Sequence, residues 1–192
     1  MTIVQMYTEP RDAELLGGFD EAVDAGLLLV GGLGLADGHE ALDEGGDFGF
    51  VGALSLGEDL VVEGLLVVGV EGEARLIERA RANAHRNGIG NAEFHQADLA
   101  APDLSHAPWL QRAYSHLLLD PPRVGARELL PAIAGLAPRR LLYVSCHPGT
   151  LARDLGILVH EHGFELLAAG VVDMFAHTAH VESLALLGPP RN

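Results

Sequence analysis

From about residue 65 onward, short apolar runs alternate with segments whose apolar residues recur at helical spacing. Short runs that are rich in Val and Leu predict strands buried on both faces of a sheet. The predicted strands span residues 65–70, 92–95, 116–119 and 141–145. Repeated strand–helix units of this kind predict an α/β fold with a doubly wound, mostly parallel sheet.

Three predicted helices lie between and after these strands. The first helix should stop at Asn87-Gly88 and the second at Pro138, because glycine and proline end helices. After the third helix, residues 164–172 and 181–187 predict two strands separated by a short loop. We expect these two strands to form a terminal antiparallel pair on the sheet.

Residues 1–64 have a different pattern. They contain many glycines and acidic residues and show no sustained hydrophobic period. We therefore divide the chain into an irregular, acidic, glycine-rich N-terminal part, residues 1–64, and an α/β core, residues 65–192. Within the first part, residues 13–29 could form one or two helices, and residues 31–57 could hold a strand and a glycine-rich turn.

The chain of 192 residues has a formal net charge of −15, and its acidic residues are concentrated upstream. Residues 1–72 hold one arginine against 15 acidic residues, whereas residues 73–192 hold 11 arginines against 12 acidic residues. The overall balance argues against a protein that grips nucleic acid mainly through the phosphates.

Cysteine content and hydropathy limit the compartment and the cofactors. Cys146 is the only cysteine, which excludes an internal disulfide and an all-cysteine zinc or iron–sulfur site within this chain. No apolar run approaches the ~20 residues of a membrane span. The first residues lack the basic and apolar regions of a signal peptide. We therefore expect a cytoplasmic protein with no membrane partner.

Four polar residues end or closely follow predicted strands: Glu71, Asp98, Asp120 and Cys146. Ligands of doubly wound folds bind at the carboxyl ends of the strands, so these residues are candidates for one site. Glu71 could accept hydrogen bonds from ribose hydroxyls or be a solvated loop acid. Asp98 could accept from an adenine amino group or cap a helix. Two prolines follow Asp120 and stiffen its turn, although a purely structural turn remains an alternative.

Cys146 lies where a strand ends and a helix begins, a position that favours a reactive thiolate. The alternative is a small buried plug. Near the C terminus, His177, His180 and Glu182 fall close together. They could bind a metal in a hydrolase, but their spacing differs from the helical zinc-enzyme motif, and we expect no metal. A carboxylate base beside a cysteine nucleophile fits these residues better.

Several of these segments together resemble the catalytic domain of the RNA (uracil-5-)-methyltransferase family, above all its branch acting on 23S ribosomal RNA. The resemblance covers residues 67–187, in the family's order and near its spacing. The matching segments are VVGVEG at 67–72, DPPR at 120–123, YVSC at 143–146, TLARDL at 150–155 and HTAHVES at 177–183.

The resemblance implies a class I methyltransferase fold, S-adenosyl-L-methionine as cofactor and RNA, expected to be ribosomal RNA, as substrate. It implies that Cys146 attacks C6 of a uracil, that C5 takes the methyl group, and that Glu182 removes the C5 proton. Asp120 would hydrogen-bond the cofactor region or the flipped base, whereas Glu71 and Asp98 would hold the adenosine moiety. Residues 65–192 would then be the methyltransferase catalytic core.

The cofactor loop of the family has a degenerate counterpart here. Without gaps, Phe50 and Gly52 keep the family's residues, whereas Leu54 replaces its second glycine and Ser55 its asparagine. A side chain where backbone must approach a ligand closely is a steric problem. We take Phe50, Gly52 and Ser55 as cofactor-binding candidates, together with Gln5, which could correspond to a cofactor-contacting glutamine of the family.

Two further departures leave alternatives open. The family's asparagine after the catalytic cysteine is His147, which could favour the thiolate when protonated or merely fill the site. The chain also lacks the N-terminal RNA-binding barrel and cysteine cluster of the ribosomal branch. The alternative to an active enzyme is therefore a non-catalytic remnant or fragment that folds but binds cofactor poorly.

Overall fold

A computed structural model of the protein describes residues 3–7, 66–101, 104, 106–172 and 181–190, with only the backbone for residues 3–7. Seven strands form one sheet in the order β3-β2-β1-β4-β5-β7-β6. The strands are β1 (Ile3–Tyr7), β2 (Val67–Glu71), β3 (Ala92–Gln96), β4 (His116–Asp120), β5 (Arg140–Ser145), β6 (Glu165–Val172) and β7 (Glu182–Gly188). The helices are α1 (Ala74–Arg86), α2 (Leu130–Leu136) and α3 (Pro148–His160), with a short 3₁₀ helix at Pro108–Gln111.

The strand directions confirm most of the predicted topology. β2 runs parallel to β3, and β4 runs parallel to β5. β7 is antiparallel to both β5 and β6, so the predicted terminal antiparallel pair is present. Because β4 and β5 are parallel and β7 enters from the opposite direction, the end of β5 meets the start of β7 at one edge of the sheet. We call this edge, where β2, β4 and β5 end, the carboxyl edge.

Strand β1 is a feature that the hydrophobic pattern did not predict. It lies in the centre of the sheet, antiparallel to β2 and to β4. Its sequence, Ile-Val-Gln-Met-Tyr, has the β-branched and aromatic residues that suit a strand. β1 supplies the hydrogen-bonding partners for the facing backbone of β2 and β4, which buried strands need. The elements expected within residues 13–57 lie outside the described residues.

Helices cover both faces of the sheet, which confirms the doubly wound arrangement. The larger core packs α2 and α3 against one face and includes Leu119, Tyr143 and Leu158. The smaller core contains Ile77 of α1 and Phe94 of β3. Phe94 pairs with Gly69 of β2, and the neighbours of Gly69, Val68 and Val70, belong to the larger core. Phe94 therefore faces the opposite side of the sheet.

The helices end as the sequence predicts. α1 stops at Asn87, and Gly88 follows in a left-handed conformation with φ of 68°. α2 ends at Leu136, and its C-cap Ala137, left-handed with φ of 44°, directly precedes Pro138. Among the described residues, every helix is too short or too polar to cross a membrane.

The central strand residue Leu119 offers a test of the core. Leu119 is 0% exposed, so Leu119→Ala should lower the free energy of unfolding by about 2–5 kcal/mol through lost burial and an unfilled cavity. The matched control is Leu166→Ala on the edge strand β6, where 45% exposure predicts a loss of about 1 kcal/mol or less. Urea denaturation with an unchanged m-value measures both. Equal losses would contradict the assigned core.

Candidate active site at the carboxyl edge of the sheet

Glu71 and Asp120 end β2 and β4 at the same level of the sheet. Ile3 of β1 pairs with Asp120, and Val4 pairs with Val70, the residue before Glu71. Because neighbouring strands lie ~4.8 Å apart, the two acidic residues sit roughly 10 Å from each other across β1. The residue before each of them belongs to the larger core, so both acidic side chains point to the opposite side of the sheet.

Cys146 and Glu182 are brought together by strand pairing. Ser145, the last residue of β5, pairs with Ser183 near the start of β7. Cys146 follows the last residue of β5 and Glu182 is the first residue of β7, so the pairing brings both residues to the same end of this strand pair. The fold therefore sets the candidate nucleophile near the candidate base.

The backbone on both sides of Cys146 is held by hydrogen bonds. The Ser183 hydroxyl donates to the Ser145 carbonyl at 2.8 Å, in a buried position. The Ser145 hydroxyl accepts from the His147 N–H at 3.1 Å and donates to the His147 carbonyl at 3.2 Å. Ser145 is fully buried, whereas Cys146 is partly exposed. The thiol thus stands on a fixed turn with access to solvent.

His147 caps the N terminus of α3. Its Nδ1 accepts a hydrogen bond from the Thr150 N–H at 3.2 Å, and its carbonyl accepts from the Thr150 hydroxyl at 3.0 Å. Asparagine is among the best N-cap residues because its side-chain oxygen accepts the same backbone N–H. The structure therefore gives His147 a capping role at the start of α3.

One carboxylate oxygen of Glu71 is buried and accepts no hydrogen bond from the described residues. The side chain is 8% exposed, and Oε1 accepts from the Glu73 N–H at 2.9 Å. Oε2 is buried without a hydrogen-bond partner among the described residues. Buried carboxylate oxygens are normally satisfied, so an orphaned one at the carboxyl edge is suited to a ligand donor such as a ribose hydroxyl.

Asp98 follows β3 on the exposed side of the same edge. Its Oδ1 accepts from the Ala100 N–H at 3.0 Å, which closes a local turn. Gln96, two residues earlier, donates from Nε2 to the Gly72 carbonyl at 3.2 Å and ties the end of β3 to the loop after Glu71. Asp98 is therefore near Glu71, with one carboxylate oxygen engaged in the turn.

Asp120 lies between the Glu71 side and the Cys146 side of the edge. Leu119 pairs with Tyr143, so Asp120 is level with residue 144, two positions before Cys146 on the neighbouring strand. Burial raises the pKa of the Asp120 carboxyl from 3.8 to about 6, and the negative charge of Glu182 adds to the rise. An acid poised near neutrality between two parts of a site is typical of functional carboxylates.

The remaining candidates stand as follows. Gln5 lies in the middle of β1, where its backbone pairs with Gly69 and Leu118, two residues in from the level of Glu71. Its role stays a prediction. The other candidates lie outside the described residues: Phe50, Gly52, Leu54, Ser55, His177 and His180. Within the described ranges, no group of three or more His, Cys, Asp or Glu side chains is arranged to hold a metal.

Sequence reasoning did not single out three polar side chains that the structure buries in or near the site: Ser145, Ser183 and Asp154. All three are buried polar side chains. Ser145 and Ser183 fall inside apolar strands, and Asp154 falls on the apolar side of a helix. A polar residue at a position where the period predicts an apolar one was the available signal, because such residues need hydrogen-bond partners.

The fold and the site at its carboxyl edge define a class I methyltransferase. A tRNA (uracil-54, C5)-methyltransferase of Pyrococcus abyssi, solved with S-adenosyl-L-homocysteine, matches 65% of this chain and 29% of its own, with a TM-score of 0.54 and 32% identity. NSun6 from Pyrococcus horikoshii matches 65% of this chain with a TM-score of 0.52 and 14% identity, which shows the fold alone.

Family comparison narrows this class. The model of the tRNA (Uracil-5-)-methyltransferase family matches residues 75–189, more than half of the chain. The chain therefore belongs to this family. A 23S rRNA (uracil(1939)-C(5))-methyltransferase RlmD of Xylella fastidiosa is 47% identical over 187 residues. The protein of the same name in Alkalilimnicola ehrlichii is 58% identical over 122 residues, or 62% of this chain.

The chain is much shorter than these relatives. The match to the Xylella protein covers 95% of this chain but 40% of that protein, and the match to the Alkalilimnicola protein covers 27% of that protein. This chain thus corresponds to one part of these longer relatives.

The raised pKa of Asp120 predicts a pH-dependent stability. Because the folded pKa of about 6 exceeds the ordinary 3.8, the stability that Asp120 contributes is present at low pH and lost as the pH rises through about 6. Between about pH 4 and pH 7, the unfolding free energy of the wild type should therefore fall by roughly 1–3 kcal/mol relative to Asp120→Asn.

Urea denaturation across this range measures the difference. Glu161→Gln, an exposed carboxylate at the far end of α3, controls for the introduction of an amide. Parallel curves for wild type and Asp120→Asn would contradict the raised pKa.

Proposed function

We propose that this chain carries the catalytic core of an S-adenosyl-L-methionine-dependent enzyme that methylates C5 of uracil in RNA, with ribosomal RNA as substrate. The pairing of Ser145 with Ser183 carries the proposal, because it brings Cys146 and Glu182, a candidate nucleophile and a candidate proton acceptor, to the same end of β5 and β7 at the carboxyl edge. Family membership and the printed names of the relatives support the choice of reaction and substrate. Action on ribosomal RNA fits a cytoplasmic location.

Residues of the edge fit the cofactor. The orphaned Oε2 of Glu71 suits a ribose hydroxyl, and the exposed Asp98 suits an adenine amino group. Phe50, Gly52 and Ser55 would complete the site from the degenerate loop, and Gln5 from β1. When bound, S-adenosyl-L-methionine would supply an electrophilic methyl group and leave as S-adenosyl-L-homocysteine once its bond from sulfur to the methyl carbon breaks.

Cys146 acts as the nucleophile. Its thiolate forms a bond to C6 of the uracil, and the electron pair of the C5–C6 double bond shifts so that C5 becomes nucleophilic toward the methyl group. A soft sulfur nucleophile suits this step because it must add and later leave. The turn that holds Cys146, fixed by Ser145 and Ser183, keeps the sulfur in one position for both events.

Glu182 acts as the base after methylation. It removes the proton from C5, the electron pair re-forms the C5–C6 double bond, and the bond from C6 to the Cys146 sulfur breaks. Asp120, whose pKa lies near 6, lies between the two ends of the site and hydrogen-bonds the base or the adjacent cofactor. A carboxylate held in a partly buried site is a stronger proton acceptor than one in water.

The substrate uracil must leave its helix or come from a single strand. A stacked and paired base cannot present C6 to a thiolate on one face and C5 to a methyl donor on the other. The near-neutral charge of residues 73–192 also fits recognition by pocket contacts more than by phosphates.

RNA that carries 5-fluorouridine at the target tests the nucleophile. Fluorine cannot leave C5 as a proton, so the reaction should stop at a covalent adduct visible as a slow protein–RNA band on a denaturing gel. The adduct should need S-adenosyl-L-methionine and should be absent in Cys146→Ala. An adduct that persists in Cys146→Ala would remove Cys146 from the mechanism. A folded wild type that gives neither adduct nor 5-methyluridine would favour the non-catalytic remnant.

Glu182→Gln separates the base from the nucleophile. This variant should still attack ordinary uridine and accept the methyl group, but it should resolve the adduct slowly, with turnover reduced ~10²–10⁴-fold. Gel-stable complex should therefore accumulate on unmodified RNA. Normal turnover, or a loss of adduct as complete as in Cys146→Ala, would show that Glu182 is not the late base.

Glu71 provides a test of cofactor binding that needs no RNA. Glu71→Ala should weaken binding of S-adenosyl-L-homocysteine about 10-fold or more, because it removes the acceptor for the ribose hydroxyls. Isothermal calorimetry measures the change. Glu78→Ala, an exposed acid on α1, is the matched control and should bind as the wild type does. Unchanged affinity in a folded Glu71→Ala would place the ribose elsewhere.

A further inference from the structure

Asp154 is a buried carboxylate on α3 that has no part in the proposed reaction. It is 0% exposed. Its Oδ2 accepts hydrogen bonds from the Ala126 N–H at 2.8 Å and from the Tyr143 hydroxyl, and its Oδ1 accepts from Arg153 Nε at 2.8 Å. A buried charge with this many donors is a fixed anchor, because the loss of any donor leaves the charge poorly compensated.

Two neighbouring side chains of α3 hold the loop that follows Asp120. Asp154 binds the N–H of Ala126, and Arg153 donates from Nη2 to the Val124 carbonyl at 2.8 Å. Gly125 lies between these points with φ of 85°. A Cβ atom on Gly125 would overlap the Asp154 carboxylate and lie 2.5 Å from Arg153 Nη2. The loop therefore packs directly on this ion pair.

A stiff segment connects the anchored point to Asp120. Pro121 and Pro122 each have a fixed φ. The Gly125 N–H donates to the Pro122 carbonyl at 2.8 Å and closes a turn. The prolines and this turn reduce the number of torsions that could absorb a displacement at Ala126 before it reaches Asp120.

We propose that Asp154 is a positioning residue: with Arg153 and Tyr143 it fixes the loop of residues 121–126 and thereby holds the Asp120 carboxylate in place at the carboxyl edge. The role of Asp120 in the reaction rests on the proposed function, whereas the anchor itself rests on the contacts. α3 begins at Pro148, and its N-cap His147 directly follows Cys146. The same helix therefore contacts both the turn that holds Cys146 and the loop that follows Asp120.

Tyr143 keeps its proton in this arrangement. Burial and the hydrogen bond to Asp154 raise the pKa of the Tyr143 hydroxyl above its ordinary value. The hydroxyl is thus a permanent donor, and Tyr143→Phe removes one of the three donors to Asp154 while keeping the buried ring.

Titration of Asp120 tests the positioning role without any assay of activity. In wild-type protein labelled with ¹³C in its carboxyl groups, the pKa of Asp120 should be about 6. Asp154→Asn keeps the shape of the side chain but faces Arg153 with an amide, which releases the loop and admits water to Asp120. The pKa of Asp120 should then fall by about one unit or more, and by less in Tyr143→Phe.

Glu161→Gln, an exposed residue at the C-terminal end of the same helix, is the control and should leave the Asp120 titration in place. An unchanged Asp120 titration in a folded Asp154→Asn would overturn the proposal. If Asp154→Asn does not fold, an unchanged titration in Tyr143→Phe would overturn it equally.

A double-mutant cycle tests whether Asp154 acts through Asp120. In the otherwise wild-type chain, Asp154→Asn should lower kcat for 5-methyluridine formation about 10-fold or more. In the Asp120→Asn background, it should lower kcat less than about 2-fold, because the group it positions is already lost. Equal losses in both backgrounds would show a general structural role and overturn the proposal. If the wild type methylates no RNA, the proposed function fails, and the titration still decides the role of Asp154.

Discussion

The antiparallel pairing of β5 with β7 is the constraint on which the site depends. Ser145 faces Ser183 across this pair, and the Ser183 hydroxyl binds the Ser145 carbonyl. A shift of one residue in this register would move Glu182 to the other side of the sheet, away from Cys146. The large apolar surface that β5 and β7 bury on one side fixes the register, so core packing indirectly positions the proposed nucleophile relative to the proposed base.

Two carboxylates at the carboxyl edge differ in their surroundings from the buried carboxylate of α3. Glu71 holds a buried oxygen without a partner among the described residues, and the pKa of Asp120 is raised by burial and by Glu182. Both features destabilise the ionised protein, and both become favourable when a ligand supplies hydrogen-bond donors. Asp154 shows the opposite solution, since every oxygen has a donor. The carboxylate with a donor for each oxygen lies on α3, whereas Glu71 and Asp120 lie at the candidate site.

Periodicity predicted the described part of the core well, because burial on both faces of a parallel sheet produces apolar runs that need no tertiary information. The helix stops at Gly88 and Pro138 followed from local backbone chemistry. Strand β1 escaped prediction, since five residues of ordinary strand composition gain their place only by pairing with β2 and β4. The degenerate loop around Gly52 remains a prediction because it lies outside the described residues.

Residue type, order and local period were enough to assign the family, the α/β class and the candidates Cys146, Glu182, Glu71 and Asp120. Which of these candidates lie close together depends on how the strands pair in the fold. The choice of β7 as the partner of β5 brings Cys146 and Glu182 to the same end of the strand pair. The anchor from Asp154 to the Asp120 loop joins residues far apart in the chain through a buried carboxylate, and hydrogen bonds between distant segments form only once the chain has folded.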